Sequence, residues 1–300
     1  MSSESRYEAV RFPTTGAVAV CDLDIQNNSD EVYAFSINRN APRCFERRIW
    51  NSAIKLDHIQ ISKAIILYQR WESVEGLVDK THKERLKAKI PLLEARDIEY
   101  QKKKKIITEY FNSHGVNYLW HMTHKDNVSG IIQEGILSHY DAHSLNVNPV
   151  DISDPNAQRW RENIEPHYGR RIHEYAPLYI NPRNPMLFVR QEIQRDICLI
   201  AVSLEVMAEY EFLITDGNAA SHGTLFSKNL DDLNIIPWDV LNGKYWMDYI
   251  DGKRKKCAEV LIHPKISPKY IEEIHCYSSM TREYISRLGS PVHQTPSLFF

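Results

Sequence analysis

Four consecutive cations run directly into a short apolar segment that contains one carboxylate, Glu259. The segment 257–262 has the composition of a strand, on which Glu259 shares a face with Cys257 and Leu261. A carboxylate on a half-buried strand is costly unless it is paired or reaches water. Glu259 is therefore either an edge-strand side chain in water or a catalytic carboxylate at the rim of a cleft, beside cations that hold a polyanion. The cations are Lys253, Arg254, Lys255 and Lys256.

Three other segments carry groups that can bind or react. His121 is either a core histidine or a ligand-binding one. The pair His121 and His124 has the spacing of half a metal site, but the sequence offers no further ligands for one. Thr123 with Asp126 also fits the capping box of a helix. Two further segments have either a structural or a binding role. Arg159 and Arg161 are either surface cations or ligands of an anion. Tyr175 and Tyr179 either pack in the core or stack on a ring of a ligand.

The composition is that of a globular protein. The chain has 300 residues, of which 43% are apolar and 25% charged, with a net charge of -2, so a site for a polyanion must be a local patch. The five cysteines are scattered, odd in number and without a Cys-x-x-Cys pair, so the sequence indicates neither a disulfide framework nor a cysteine zinc site. There is no signal-peptide core and no apolar run of about 18 residues. We expect a soluble, cytoplasmic protein with no metal and no membrane partner.

The first third of the chain differs from the rest. Residues 1 to about 40 predict a hairpin, with strands at Gly16–Ile25 and Glu31–Ile37. Residues 45 to 111 predict helices, since apolar residues recur at helical spacing from Ile54 to Trp71. The lysine run 102–105 is either a solvated helix face or a phosphate contact. This region predicts an accessory domain over residues 1–112.

From residue 113 the pattern becomes that of a mixed α and β domain. A strand is predicted at Tyr118–His121, then a helix over 127–134 that Gly135 ends, and a polar loop region or lid over 138–172. Further strands are predicted at Ile197–Ser203, which is expected to be central, at Glu211–Thr215, at 257–263 and at Ile271–Tyr277. We predict a catalytic domain over residues 113–283 and a tail over 284–300.

Taken together and in this order, several blocks between residues 117 and 280 resemble the DarT-type ADP-ribosyltransferases. These enzymes are the toxin halves of toxin–antitoxin pairs and attach ADP-ribose from NAD to bases of nucleic acid. The resemblance does not cover the first ~110 residues. The matching blocks are Trp120–Asn127, Gln133–Leu137, His173–Tyr179, Asn181–Leu187, Thr215–Ala220, Trp238–Leu241, Tyr245–Trp246 and Arg254–Leu261.

The resemblance implies an α+β fold, with NAD in the cleft of a split, mostly antiparallel sheet flanked by helices, beside an N-terminal mixed hairpin and helical region. It implies that His121 holds a ribose of NAD and that Glu259 is the catalytic glutamate. The second essential group is an arginine in a Gln-x-x-Arg motif, which favours Arg161, with Arg159 as the competitor. Further expected NAD contacts are Thr123, Tyr175, Tyr179 and Arg159, and the expected nucleic-acid contacts are Lys253, Arg254, Lys255 and Lys256.

The residue types fit this chemistry. Cleavage of the bond to nicotinamide builds positive charge on the ribose, which a carboxylate stabilises, and an arginine clamps a pyrophosphate. A base must leave its stack to be modified, which favours single-stranded DNA. The alternative is the same reaction on RNA, by a toxin or an anti-phage effector. A protein acceptor and a catalytically inactive binding scaffold are less favoured alternatives. The expected partner is an antitoxin, of macrodomain type or occluding the site. Residues 1–112 are either a structural brace or a module that recognises a partner.

Overall fold

The computed structural model describes residues 7–11, 18–22, 31–36, 41–56, 98–144 and 149–300. The chain divides into two compact units, Met1–Gln101 and Lys102–Phe300, and the helix over residues 98–113 includes the boundary. The predicted domain limits at 112/113 and 283/284 stay predictions. Among the described residues, no helix combines the length and the hydropathy that crossing a bilayer requires.

The first unit contains a five-stranded antiparallel sheet with the order β4-β3-β2-β1-β5. Val10, Val32 and Trp50 are buried on it, which explains the apolar alternation of these short segments. The strands are β1 (Tyr7–Arg11), β2 (Val18–Asp22), β3 (Glu31–Ser36), β4 (Ala41–Glu46) and β5 (Ile54–Leu56), and a helix spans Arg47–Asn51.

The predicted hairpin is confirmed in its paired strands, since Ala19 of β2 lies opposite Ser36 of β3; its turn lies outside the described residues. The helix predicted from Ile54 is wrong at its start. Ile54–Leu56 is an edge strand paired with Arg11–Ala9 of β1, because hydrogen bonds to that strand override a helical spacing that only nearby residues suggest. The rest of that predicted helix, to Trp71, lies outside the described residues.

The second unit is built on an eight-stranded sheet with the order β11-β10-β12-β8-β6-β9-β14-β15. All neighbours are antiparallel except β14 and β15. A small second sheet pairs β7 with β13. The strands are β6 (Tyr118–His124), β7 (Ile136–Leu137), β8 (Ala176–Tyr179), β9 (Ile197–Ser203), β10 (Glu211–Thr215), β11 (Phe226–Ser227), β12 (Glu259–His263), β13 (Lys265–Ile266), β14 (Ile271–Cys276) and β15 (Val292–Gln294).

Helices flank this sheet. The helix over residues 98–113 carries the lysine run, with Lys102 and Lys105 exposed and Ile107 and Phe111 buried in the core, as expected of a solvated helix face opposite an apolar one. The other α-helices span Val128–Glu134, His139–Ser144, Pro155–Trp160, Pro185–Phe188, Val206–Glu209, Trp238–Asn242, Gly252–Lys255 and Ser279–Ser286. Short 3-10 helices span Lys125–Asn127, Ile172–Glu174, Gln191–Asp196, Leu230–Ile235, Trp246–Asp248, Pro268–Tyr270 and Pro296–Leu298.

The sheet is split in its middle. Trp120 and Tyr179 form the pairing that joins β6 to β8, whereas the pairing of β6 with β9 extends over the whole of β6. The predicted split antiparallel sheet is therefore confirmed. Beyond that pair the two strands separate.

The two faces of the sheet explain the strand patterns. Ile200, Val202, Val260 and Ile262 belong to the main core. Leu261 belongs to a smaller cluster on the other face, as the alternation of a strand requires. The segment Ile197–Ser203 is buried along almost its whole length and lies between β6 and β14, which confirms that it is an inner strand.

Candidate active site

A cavity of about 460 Å³ opens where β6 and β8 separate. Its size is within the range of about 300–1,000 Å³ that is common for small-molecule sites. Residues of β6 and β8 line it, together with residues from the ranges 138–143 and 149–161. The structure therefore places the predicted loop region at the site, with two short helices in it, His139–Ser144 and Pro155–Trp160. The polar residues that line it include His121, Thr123, Gln158, Arg161, Tyr179 and Asn218.

Arg161 and Glu259 form a buried ion pair at this cavity. Arg161 Nη2 donates to Glu259 Oε2 at 2.5 Å, and the Glu259 side chain is fully buried. Burial lowers the pKa of Arg161, but the carboxylate of Glu259 outweighs this, so that the pKa lies above its usual value. Arg161 lines the cavity, so its guanidinium connects the cavity to the carboxylate. Glu259 is not an edge-strand side chain in water, since it is fully buried on the inner strand β12. It lies behind Arg161, and its catalytic role stays a prediction.

Two backbone segments fix the position of Glu259. Its Oε1 accepts a hydrogen bond from the Ala219 backbone N–H at 3.2 Å. Its own N–H donates to the Thr215 hydroxyl at 2.9 Å, and that hydroxyl also contacts the Gly217 carbonyl at 2.6 Å. The carboxylate therefore has one donor on each oxygen, a cation on one side and a backbone amide on the other.

His121 bridges the split in the sheet. Its Nδ1 lies 3.1 Å from the Pro177 carbonyl oxygen of β8. A carbonyl only accepts, so Nδ1 carries the hydrogen. Burial lowers the pKa of His121, which keeps the imidazole neutral at pH 7 and leaves Nε2 as an acceptor. His121 thus presents a fixed tautomer to the cavity that it lines.

Thr123 lines the cavity as predicted, but its predicted role as a helix cap is wrong. β6 continues to His124, whose ring accepts from the Asp126 N–H and caps the 3-10 helix Lys125–Asn127. The Thr123 hydroxyl instead accepts from Asn127 Nδ2 at 3.0 Å. The helix that follows, Val128–Glu134, does end at Gly135, whose φ of 90° favours glycine.

Tyr179, at the end of β8, and Tyr175, directly before β8, have different environments. Tyr179 lines the cavity, and its pKa is raised well above the usual value by burial and then by Glu259, so that it remains a neutral phenol. Tyr175 is 1% exposed in the cluster around Leu261, and its hydroxyl donates to Glu165 Oε1 at 3.0 Å. The predicted NAD or base contact of Tyr175 is therefore wrong, because packing and this hydrogen bond commit the ring to the core.

Arg159 does not belong to the site. It is exposed near the end of the helix Pro155–Trp160 and is absent from the cavity lining, whereas Arg161 beyond the helix turns inward. The backbone explains the difference, since Arg161 N–H donates to Ala157 and its carbonyl accepts from the His173 N–H at 3.0 Å. The structure thus gives no support to the predicted contact of Arg159 with NAD, and Arg161 is the arginine at the cavity.

The basic run before Glu259 is a short helix, Gly252–Lys255, and not a row of free cations. Lys256 is 4% exposed, and its Nζ donates to the carbonyls of Val240, Leu241 and Gly243 at 2.7–3.1 Å. These carbonyls end the helix Trp238–Asn242, a natural position for a cation. The predicted nucleic-acid contact of Lys256 is wrong, because leaving these three acceptors buried and unpaired is costly.

Arg254 is also engaged inside the protein. Its guanidinium binds both carboxylate oxygens of Asp216, at 2.6 and 2.9 Å, and its Nε contacts Asp251 at 2.5 Å. The predicted role in binding nucleic acid is corrected for this residue too, since bidentate pairing occupies the guanidinium. Lys253 is exposed and Lys255 is half-buried, so the run retains these two residues as nucleic-acid candidates.

Sequence reasoning missed a histidine cluster beside Arg161. The rings of His139 and His173 are stacked at a centroid distance of 4.4 Å, and His143 Nε2 lies 3.1 Å from His139 Nε2. His173 Nε2 contacts Gln158 Oε1 at 2.6 Å. Burial first, then the neighbouring histidine, lowers the pKa of His139. The spacing of His139 and His143 on one helix was a visible signal, whereas His173 comes from a distant segment.

Comparison with solved structures defines the class of the fold. The chain superposes on the Thermosipho africanus DarTG structure in complex with ADP-ribose with a TM-score of 0.56 and 30% identity, covering 61% of this chain and 51% of that one. It matches Thermus sp. 2.9 DarT in complex with ADP-ribosylated ssDNA with a TM-score of 0.55 and 24% identity, covering 62% and 97%. The second unit therefore has the fold of an ADP-ribosyltransferase.

Sequence comparison gives the family. The model of the family described as "ssDNA thymidine ADP-ribosyltransferase, DarT" matches residues 120–298, and the chain belongs to this family. A DNA ADP-ribosyl transferase–DNA ADP-ribosyl glycohydrolase fusion protein of Thermosipho africanus is 34% identical over 190 residues, which is 61% of this chain and 49% of that protein. A DNA ADP-ribosyl transferase of Thermus sp. is 27% identical over 57% of this chain and 86% of its own length. The chain thus spans about half of the fusion protein.

Proposed function

We propose that this chain transfers ADP-ribose from NAD to a base of single-stranded DNA and releases nicotinamide. The observation that carries the proposal is the buried pair of Arg161 and Glu259 at the cavity, on the fold of a family described by this reaction. In the reaction, the bond between the ribose C1′ and nicotinamide breaks and its electron pair leaves with nicotinamide. A base nitrogen then bonds to C1′ and loses its proton.

The residues of the cavity, together with Glu259 behind Arg161, supply the groups that this reaction needs. A carboxylate at Glu259 stabilises the positive charge on the ribose and accepts the proton from the base. Nε2 of His121 accepts a hydrogen bond from a ribose hydroxyl, since its Nδ1 hydrogen is committed to Pro177. Arg161 offers a planar fork to the pyrophosphate while it contacts Glu259, and so links binding of the phosphates to the reacting end.

Tyr179 and Thr123 complete the expected NAD contacts. Both line the cavity, and the neutral phenol of Tyr179 lies beside the Glu259 strand, where Glu259 is its register partner. The ring offers a stacking surface for nicotinamide or for a base, and its hydroxyl is a donor at any physiological pH. Lys253 and Lys255 lie on the helix that leads to Glu259 and are the cations that remain for the phosphates of the DNA strand.

The expected partner is an antitoxin that reverses the modification. The Thermosipho africanus relative carries a DNA ADP-ribosyl glycohydrolase in the same chain. This supports a partner that removes ADP-ribose from DNA, of macrodomain type by the resemblance drawn from the sequence. Three buried free thiols, Cys198, Cys257 and Cys276, suit a reducing compartment and support a cytoplasmic location.

Label transfer from NAD tests the proposal. The protein is incubated with NAD labelled on its adenylate part and, separately, with single-stranded DNA, duplex DNA, RNA or a protein mixture. We expect label on single-stranded DNA and loss of more than about a hundredfold in rate with Glu259→Gln, which removes the charge and keeps the shape. Label found only on RNA or only on protein would show that the acceptor is not single-stranded DNA. The absence of both label and released nicotinamide would refute the reaction.

A further inference from the structure

The loop after β10 contacts the candidate catalytic carboxylate directly. This loop, residues 216–219, ends at Ala219, whose N–H is 3.2 Å from Glu259 Oε1. Ala219 is 3% exposed, and its N–H is the donor on the side of the carboxylate opposite Arg161. The direction in which Glu259 points therefore depends on the position of the loop as well as on Arg161.

Arg254 holds this loop from three directions. Its two terminal nitrogens bind Asp216 Oδ1 and Oδ2 at 2.6 and 2.9 Å. Its carbonyl accepts from the Asn218 N–H at 3.0 Å, which fixes the residue next to Ala219. Its Nη1 also contacts the Thr224 hydroxyl at 3.2 Å, and that hydroxyl donates to the Asn218 carbonyl at 2.7 Å.

Gly217 allows this close approach. A Cβ built on Gly217 would lie 2.5 Å from Arg254 Nη1 and 3.0 Å from the Arg254 carbonyl oxygen, which is too close for any other residue without a shift. The segment Thr215–Ala220 thus contains residues with defined physical roles. The Thr215 hydroxyl accepts from the Glu259 backbone N–H, and Asp216 pairs with the Arg254 guanidinium. Gly217 permits the close approach of Arg254, and the Ala219 N–H donates to the Glu259 carboxylate.

We propose that Arg254 and Asp216 are positioning residues, which hold the loop 216–219 so that the Ala219 N–H fixes the carboxylate of Glu259 in the direction of the reacting ribose. The inference rests on the proposed transfer reaction. Arg254 touches neither NAD nor DNA in this role, and Asp216 is its structural partner. A competing role for Arg254, contact with a phosphate of the DNA strand, predicts a different kinetic result.

The kinetic experiment uses conservative variants that keep the fold. Arg254→Lys keeps the charge and removes the bidentate contact, and Asp216→Asn keeps the shape. We expect each to lower kcat by about tenfold to a hundredfold, by analogy with the outer groups that orient the ligands of metal sites. KM for NAD and for single-stranded DNA should stay within about twofold of wild type. Arg287→Ala removes a surface arginine that pairs with Glu283 at 2.8 Å, and this matched control should leave all constants unchanged.

The double variant tests whether the two residues act as one unit. If they act only through each other, Arg254→Lys with Asp216→Asn is no slower than the slower single variant. Full additivity of the two effects would overturn the proposal. A raised KM for DNA in Arg254→Lys, with unchanged kcat and no effect of Asp216→Asn, would instead establish the phosphate contact.

Amide hydrogen exchange separates this proposal from the proposed reaction. The Ala219 amide should be protected in the wild type and should exchange at least about tenfold faster in both single variants, at a pH and temperature where melting shows them folded. This readout does not need catalysis. A wild type without label transfer would refute the reaction, whereas an Ala219 amide whose exchange is unchanged in both variants would refute the positioning role.

Discussion

At the scale of single residues, the structure separates cations that share a sequence neighbourhood. Arg159 and Arg161 are two positions apart, yet Arg161 is buried against Glu259 and Arg159 is exposed. Lys253 and Lys256 lie in the same run, yet Lys253 is exposed and Lys256 is enclosed by three carbonyls. The local backbone sets the direction in which each side chain points. That direction determines whether a cation is exposed and free to bind a ligand or is paired inside the protein.

The first prediction concerns the buried pair. Arg161→Ala should abolish transfer and lower the free energy of unfolding by roughly 3–5 kcal/mol, because it leaves the fully buried Glu259 without its cation. Arg161→Lys keeps a charge without the planar fork, so it should lose activity but less stability. Urea unfolding and label transfer measure both quantities.

Arg159→Ala is the control for this prediction. Because Arg159 is exposed and does not line the cavity, both its stability and its transfer rate should match those of the wild type. Equal loss of activity in the variants of Arg159 and Arg161 would show that the pair at Glu259 is not what matters.

At the scale of elements, one carboxylate organises the loop that precedes β8. Glu165 is 1% exposed and accepts from the backbone N–H groups of His167, Tyr168 and Arg170 at 2.7–3.1 Å. It also accepts from the Tyr175 hydroxyl, which ties the loop to the core. Burial raises the pKa of Glu165, but these donors outweigh it, so that the pKa lies below its usual value of 4.5.

The second prediction follows from this lowered pKa. A carboxyl group with a lowered pKa contributes stability that is fully present above its unfolded pKa of about 4.5 and is lost as pH falls through the folded value. Glu165→Gln should therefore lower the free energy of unfolding at pH 7 by about 1–3 kcal/mol and flatten its dependence on pH below 4.5. Urea unfolding from pH 7 to pH 3 measures the change. A steeper acid dependence in the variant would contradict this account.

At the scale of the whole molecule, buried and half-buried histidines give the protein a sensitivity to mild acid. Among the described residues, several histidines have a lowered pKa, and burial is the largest cause in each case. They occur at the split of the sheet, in the cluster beside Arg161 and on the strands β12 and β14, so acid acts on many elements at once. They are His121, His139, His173, His263 and His275.

The third prediction is a loss of stability between about pH 6.5 and pH 5. The unfolded chain binds protons on these histidines near 6.5, whereas the folded state binds them only at lower pH, so the stability is full above 6.5 and falls as the pH drops below it. The melting temperature should fall across this window, and less so in His139→Asn with His173→Asn, which removes two of the groups. A melting temperature independent of pH from 7 to 5 would contradict the prediction.

The sequence by itself determined the features that depend on local pattern. Ile197–Ser203 and Glu211–Thr215 are strands as predicted, since runs of β-branched and other apolar side chains suit a sheet that is buried on both faces. Gly135 ends its helix, because only glycine adopts a φ of 90° at no cost. The family resemblance, carried by ordered blocks between residues 117 and 280, also came from the sequence, and the family match over residues 120–298 confirms it.

Only the tertiary structure decided which groups meet. Arg161 and Glu259 are 98 positions apart, and Arg254 and Asp216 are 38 apart, so no local period links them. From the sequence, Arg254, Lys256 and Tyr175 were predicted to contact ligands. A sequence shows that a side chain is charged or aromatic, but not the direction in which it points. Folding gave each of them a protein partner, and a buried polar group must have one. The cavity with its histidine cluster arises where β6 and β8 separate, a property of the assembled sheet and of no single segment.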